Sequence, residues 1–278
     1  MLNDDRKKHV KTLAVASGKG GVGKTNLVVN LAVAANRLGK KVIVLDADLG
    51  LSNVDVLLQL APKYNIQHVL SGQKTLAEIM VDGPHGIKIL PASSGVQELT
   101  SLDEFQRLKI MEEFDAYTGN FDLLVIDTAA GISENVAFFC IAAEETLIVT
   151  SPEPTALTDA YALIKVLFTR YQEREFSVIV NSARSPEEGF DVFKRLLLVT
   201  EKFLNVSLNY VGHIPMDANV RKAVRAQKPF IDMFPGSEAS LQVSQMAAKL
   251  MESKGKVKGS LQFFLGNLLS GTGPTRCR

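Results

Sequence analysis

The sequence is poor in the residues that mark several classes of protein. It has no tryptophan, two cysteines and four histidines among 278 residues. Cys140 and Cys277 lie far apart without a CxxC pair, and the histidines form no HExxH motif. A zinc site or a disulfide framework is therefore not expected, and a reducing cytoplasm is the compartment that this cysteine content favours.

Long hydrophobic segments and an excess of one charge are also missing. The longest apolar run, at 136–143, has about eight residues, whereas a membrane-spanning helix needs about 20. Residues 1–11 carry mixed charge without an apolar centre and do not resemble a secretory signal. Lysine and arginine number 31 against 30 acidic residues, so the net charge of +1 offers no general attraction for nucleic acid.

Short β-rich runs alternate with longer amphipathic runs along the chain. Several of the β-rich runs are apolar throughout, as expected when helices cover both faces of a parallel sheet. The alternation predicts a doubly wound, mostly parallel α/β sheet with helices on both faces. The predicted strands are 12–17, 41–46, 87–91, 123–127, 146–150, 177–181 and 210–214, and the predicted helices are 25–38, 156–171, 218–227 and 238–252.

The pattern divides the chain into a domain at 1–253 and a tail at 254–278. The tail begins with a Lys- and Gly-rich hinge, after which apolar residues recur at helical spacing between a possible N-cap, Ser260, and a possible stop, Gly271. The apolar stripe consists of Leu261, Phe264, Leu265, Leu268 and Leu269.

So short a helix is marginal in water, but it suits an anionic membrane surface. Its apolar stripe and about 1 kcal/mol for each nearby lysine would support weak binding. Two copies in a dimer would bind much better, because the second insertion is intramolecular. The alternative is a last helix that packs on the domain.

The strand at 12–17 runs directly into a glycine-rich loop, GKGGVGKT, and a helix follows. This G-x-x-x-x-G-K-[ST] pattern predicts a polyphosphate site, because backbone amides and a helix N-terminus can surround the anion. Lys24 is expected to reach the β- and γ-phosphates and Thr25 to bind Mg²⁺. The predicted nucleotide-binding residues are Gly18, Gly20, Gly21, Val22, Gly23, Lys24, Thr25 and Asn26.

Three aspartates follow predicted strands near this loop. Asp46 and Asp48 come at the end of the strand at 41–46, and Asp127 ends the strand at 123–127. Carboxylates at the carboxyl ends of such strands face the nucleotide crevice, where one can orient an attacking water. Asp127 after four apolar residues is typical of a Walker B aspartate, which holds Mg²⁺ through a water. For Asp46 and Asp48 the alternative is helix capping.

With its additional lysine, Lys19, the GKGGVGKT loop resembles the deviant Walker A motif of the MinD/ParA family of ATPases. In that family this lysine crosses a face-to-face dimer to the partner's nucleotide, so the resemblance implies an ATP-dependent homodimer. An ordinary surface lysine is the alternative. The resemblance assigns water positioning to Asp48 and support of Mg²⁺ to Asp46. It also places Asn181 and Pro215 at the adenine, although Asn181 taken alone would be only a turn residue.

Further segments resemble the FlhG/FleN branch of this family, which sets the number of polar flagella. The sequence DTAAG after Asp127 differs from the D-x-P-A-G that is usual in MinD and favours a sister branch. The segments are 46–58, 127–132, 153–165, 214–229 and 260–269.

This resemblance implies a slow regulatory ATPase that restrains a σ54-dependent flagellar activator and opposes a signal-recognition-type GTPase. No DQAxxLR-like segment precedes the loop, so stimulation of that GTPase stays open. The implied location is cytoplasmic, at the inner face of the membrane or at a cell pole.

Three other functions remain open or disfavoured. A MinD-like regulator of the division site is one alternative. A ParA-like partition ATPase would need a basic face for DNA, and the one candidate is Arg221, Lys222, Arg225 and Lys228. With so little net charge, direct nucleic-acid binding is not expected. An iron protein would need paired cysteines that this sequence lacks.

Overall fold

The computed structural model describes residues 9–50, 52–92, 101–117, 119–252 and 262–263. Within these ranges the strands are β1 (Lys11–Ser17), β2 (Val42–Ala47), β3 (Val81–Asp82), β4 (Lys88–Leu90), β5 (Leu123–Ala130), β6 (Glu145–Thr150), β7 (Glu175–Ala183) and β8 (Ser207–Pro215). The α-helices are α1 (Lys24–Arg37), α2 (Val54–Leu57), α3 (Ile66–Leu70), α4 (Leu76–Ile79), α5 (Glu104–Ala116), α6 (Glu134–Ala142), α7 (Pro154–Tyr171), α8 (Pro186–Phe203), α9 (Ala218–Arg225), α10 (Phe230–Met233) and α11 (Glu238–Glu252).

The described strands form one sheet in the order β3-β4-β2-β5-β1-β6-β7-β8. Every neighbouring pair is parallel except β3 with β4 at the edge. β1 lies near the centre, between β5 and β6, so the loop that follows it emerges in the middle of the carboxyl edge. The predicted doubly wound, mostly parallel sheet is confirmed.

The sheet separates two hydrophobic cores. Along β1, Leu13 and Val15 face the core that contains α1 and α11, while Ala14 and Ala16 face the core that contains α6 and α7. Both sets are fully buried. Alternate residues of one strand are thus buried on opposite faces, which explains why the strands are apolar throughout.

Each predicted strand is present, and the structure adds elements that the pattern did not indicate. The short β3 and the helices α5, α6 and α8 were not predicted. α6 is buried along nearly its whole length, so its apolar residues show no helical period. None of the described helices is long and apolar enough to cross a bilayer.

Two residues of the predicted tail, Gln262 and Phe263, belong to the domain's interior. Both are fully buried, and the backbone N–H of Phe263 donates to the carbonyl of Ala142 at 2.9 Å. The ring of Phe263 packs edge-on against Phe114, with 5.0 Å between ring centroids. The predicted membrane stripe, which consists of Leu261, Phe264, Leu265, Leu268 and Leu269, lies outside the described residues.

We expect Phe263→Ala to lower the free energy of unfolding by about 3–5 kcal/mol, because it leaves a cavity among aromatic rings. Urea denaturation followed by circular dichroism measures this change. Phe105→Ala is the control, because Phe105 is 76% exposed and its loss should cost less than about 0.5 kcal/mol. Equal midpoints for the two variants would contradict the buried position of Phe263.

Candidate nucleotide-binding site

The loop between β1 and α1 owes its path to glycine at two positions. Gly23, directly before α1, has φ +89°, a conformation that side chains rarely adopt. At Gly18 a Cβ would lie 2.1 Å from the carbonyl oxygen of Asp159, so α7 can approach the loop only because Gly18 has no side chain. The loop is therefore held between α1 and α7 at the centre of the sheet edge.

An open cavity of about 560 Å³ lies over this loop. That volume is within the usual range for small-molecule sites. Its walls include residues 20–26 of the loop and α1, Asp48 and Asn53 after β2, Val56 and Leu57 of α2, and Val224 and Gln227 near the end of α9. The structure thus brings most of the predicted nucleotide-binding residues and Asp48 together around one cavity.

Lys24 and Asp127 form a buried ion pair beneath the loop. The ammonium of Lys24 lies 2.7 Å from Oδ1 of Asp127 and also donates to the carbonyl of Thr128. Oδ2 of Asp127 is buried and has no hydrogen-bond partner among the described residues. An unpaired buried carboxylate oxygen is costly, so this atom is suited to a water on Mg²⁺.

The other donors also fit magnesium rather than a metal held by protein alone. Thr25 lies in the first turn of α1 and lines the cavity, where its hydroxyl can bind a cation. Among the described residues no group of three or more His, Cys, Asp or Glu side chains could hold a metal ion. Mg²⁺ commonly takes one or two protein oxygens together with phosphates and waters, which agrees with this small donor set.

Asp46 is buried at the end of β2 and organises the segment that follows it. Its carboxylate accepts hydrogen bonds from the backbone N–H groups of Asn53 (2.9 Å), Val54 (3.1 Å) and Asp48 (3.1 Å), and from the Ser52 hydroxyl (3.0 Å). Burial, together with the nearby carboxylate of Asp127, raises the pKa of Asp46 to about 7. These contacts match the capping alternative, because two of the donors lie at the start of α2.

Asp48 is partly exposed, and its side chain reaches the cavity. Asn53 donates its side-chain N–H to Oδ2 of Asp48 at 3.4 Å. The backbone of Asp48 is tied to Asp46, so the position of this carboxylate depends on the buried one. A carboxylate held at the wall of a phosphate site can orient a water.

Lys19 contacts α7 and is not among the residues that line the cavity. Its ammonium lies 2.5 Å from Oε2 of Glu153 and 2.8 Å from the hydroxyl of Thr155. Sequence reasoning did not select these two partners, which lie more than a hundred residues away in the chain. The proximity of Gly18 to Asp159 of α7 brings them into reach.

Asn181 and Pro215 lie at neighbouring strand ends but do not line the main cavity. The side-chain N–H of Asn181 donates to the carbonyl of Val22 at 2.6 Å, so in this structure Asn181 supports the loop. Pro215 is buried and pairs with Ala183 of β7. The residues that follow them, Ser182 and Met216, line a second cavity of about 410 Å³.

We expect Asp46→Ala to lower the free energy of unfolding by about 1–3 kcal/mol, because buried N–H donors lose their acceptor. Asp48→Ala, two residues away and partly exposed, should cost less than about 0.5 kcal/mol. Thermal or urea unfolding of the nucleotide-free protein measures both. A smaller loss for Asp46→Ala than for Asp48→Ala would show that Asp46 does not hold this segment.

Comparison with known proteins identifies relatives of this chain. Residues 8–251 match the ParA family model, described as NUBPL iron-transfer P-loop NTPase. The chain is 46% identical over 262 residues to the antiactivator FleN of Pseudomonas aeruginosa, and the match covers 94% of each protein. It is 34% identical over 248 residues to the flagellum site-determining protein YlxH of Helicobacter pylori, with 89% of this chain and 84% of that protein covered.

A solved structure supports the same assignment. The septum site-determining protein MinD of Pyrococcus horikoshii, complexed with Mg-ADP, superposes with a TM-score of 0.70 at 25% identity. The match covers 88% of this chain and 97% of that one. The resemblance inferred from the sequence is therefore confirmed. The chain belongs to the ParA/MinD family of P-loop ATPases.

Proposed function

We propose that this protein is a regulatory ATPase whose ATP-bound homodimer controls the number and placement of flagella. The similarity to the antiactivator FleN over 94% of both chains carries this proposal. The similarity to YlxH, a flagellum site-determining protein, supports the flagellar role independently. The partner is a σ54-dependent flagellar transcription activator, which the dimer restrains, and a signal-recognition-type flagellar GTPase is a further candidate.

The contacts around the loop support a simple division of labour during hydrolysis. Lys24 exchanges Asp127 for the β- and γ-phosphates of ATP, and the loop amides surround the same phosphates. Thr25 and Asp127 would hold Mg²⁺, which would supply positive charge beside the phosphates. Asp48 orients the attacking water, while Asp46 holds the segment that carries Asp48. Asn181 and Pro215 lie at the edge where the adenine binds.

Lys19 couples the binding of ATP to the formation of the dimer. It lies at the rim of the loop, bonded to Glu153 in this single chain. In a face-to-face dimer the same ammonium reaches the partner's nucleotide, so ATP and not an apolar surface joins the two subunits. Dimerisation then depends on the presence of ATP.

We expect Lys19→Ala to bind ATP with nearly unchanged affinity but to remain monomeric, because only the contact across the dimer is lost. Light scattering coupled to size-exclusion chromatography with ATP-γ-S measures the state. Lys41→Ala is the control. Lys41 is exposed and lies directly before β2, at the amino ends of the parallel strands, whereas the loop lies at their carboxyl ends. A normal dimer of Lys19→Ala would disprove the crossing role.

The tail and the dimer are proposed to act together at the membrane. The apolar residues that would bind the anionic inner surface of the cytoplasmic membrane are Leu261, Phe264, Leu265, Leu268 and Leu269. One copy binds weakly, whereas the ATP dimer presents two. The protein therefore moves between the cytoplasm and the membrane as ATP is bound and hydrolysed.

Asp48→Ala is expected to bind ATP but to hydrolyse it about 100-fold more slowly, because the attacking water is no longer oriented. Phosphate release measures the rate, and unchanged turnover would remove Asp48 from this role. The variant should accumulate as a dimer that sediments with anionic vesicles. Lys24→Ala, which loses the phosphate contact, should not.

The trapped Asp48→Ala dimer also tests the flagellar role. It is used as bait in a lysate of the source cells, with Lys24→Ala as the nucleotide-free control, and mass spectrometry identifies what binds the dimer alone. Recovery of a σ54-type flagellar activator supports the proposal. Recovery of DNA or partition adaptors instead would favour a partition ATPase, with α9 and its exposed Arg221, Lys222 and Arg225 as the DNA-binding face.

A further inference from the structure

Three glutamines of the described chain have a left-handed backbone conformation. They are Gln59 (φ +53°), Gln172 (φ +61°) and Gln227 (φ +51°), and they follow the ends of α2, α7 and α9. Glycine is the usual residue at such a position, because a Cβ is strained there. A glutamine in this strained conformation suggests that its side chain makes a contact that glycine could not make.

Two of these glutamines are bonded to each other across the ends of their helices. The side-chain N–H of Gln59 donates to Oε1 of Gln227 at 2.8 Å. The side-chain N–H of Gln227 donates to the carbonyl of Val56, in the last turn of α2, at 2.6 Å. The left-handed turn after α9 directs the side chain of Gln227 toward α2. The backbone N–H of Gln227 donates to the carbonyl of Val224. Two hydrogen bonds therefore join α2 to α9.

The position of α2 gives this pair of bonds a consequence for the nucleotide site. The wall of the main cavity includes Asp48 and, at α2, Asn53, Val56 and Leu57. Asp46 holds the segment where α2 begins, through the N–H groups of Asn53 and Val54. Gln227 holds it where α2 ends. α2, which forms part of the wall, is therefore held by hydrogen bonds at both ends. The end that Gln59 and Gln227 hold is the more exposed one.

We propose that Gln59 and Gln227 form a clasp that keeps α2 against the nucleotide and sets the rate at which nucleotide leaves. Gln227 is a positioning residue, because it acts on Asp48 and the cavity wall through α2. Opening the clasp frees one end of the wall, while the buried contacts of Asp46 keep the other end in place. The proposal rests on the ATPase function above and adds to it the control of nucleotide exchange.

Gln227→Gly tests the clasp without damaging the fold, because glycine removes the side chain and the backbone strain together. Release of a fluorescent ADP analogue, mant-ADP, is followed by stopped flow after mixing with excess ADP. We expect release to be about 10-fold faster, the effect of losing two hydrogen bonds of ordinary strength. The urea midpoint should be unchanged or higher, and a lower ATP turnover should accompany the faster release.

Gln172→Gly is the matched control. It makes the same substitution in the same backbone conformation, at the end of α7 farthest from Lys19 and the loop. Its side chain contacts Arg174 and is not among the residues that line the main cavity. Release of mant-ADP from this variant should equal that of the unaltered protein. Equal release from Gln172→Gly and Gln227→Gly would overturn the clasp.

Gln59→Gly separates the clasp from direct contact between Gln227 and the nucleotide. Gln59 supports Gln227 but is not among the cavity-lining residues, so the clasp predicts faster release here too. The double variant, Gln59→Gly with Gln227→Gly, should release mant-ADP no faster than Gln227→Gly alone, because both substitutions break hydrogen bonds of the same clasp. Unchanged release from Gln59→Gly would overturn the clasp. If the unaltered protein bound no mant-ADP, the nucleotide site itself would be disproved, and the clasp with it.

Discussion

A single buried lysine, Lys24, lies among two buried carboxylates, and the candidate nucleotide site is built on this uneven set of charges. Asp46 and Asp127 lie on the neighbouring parallel strands β2 and β5 and pair in register, so the sheet places them side by side; Asp127 lies within β5, which continues to Ala130 beyond the strand end predicted at 127. Lys24 neutralises Asp127 alone, and the pKa of Asp46 rises as a result of burial and of this neighbour. Removing one partner of a buried ion pair is strongly destabilising unless another charged group takes its place. A group that drew Lys24 away would leave Asp127 unpaired, and a buried carboxylate in that state is suited to a divalent cation.

From this centre, contacts lead outward to helices on both sides of the loop. Asp46 holds the segment that carries Asp48 and begins α2. α2 in turn is fastened to α9 by the clasp of Gln59 and Gln227. On the other side of the loop, Lys19 is bonded to Glu153 at the start of α7. Hydrogen bonds therefore join the loop to α7 and the segment after β2 to α9, while Asp46 and Asp127 affect each other through charge.

The sequence by itself determined the fold class and the polyphosphate loop. Both are local: the loop is eight consecutive residues in a strand–loop–helix context, and parallel strands buried on both faces show as apolar runs. Asp48 and Asp127 could also be selected, because each follows such a run. The sequence did not predict elements whose apolar residues show neither a helical nor a strand period. α6 is apolar on nearly all sides, and β3 has two residues, so neither shows the alternation that identifies an element.

Only the tertiary structure decided how the selected residues are held. Asp46 caps α2, Asn181 supports the loop through Val22, and Phe263 lies among the aromatic side chains of α5 and α6. Glu153 and Gln227 acquire their roles from partners more than a hundred residues away. A single sequence contains the side chains for these contacts but no period or spacing that pairs them. Pairing at that distance follows from strand order and helix packing, which depend on the whole chain at once.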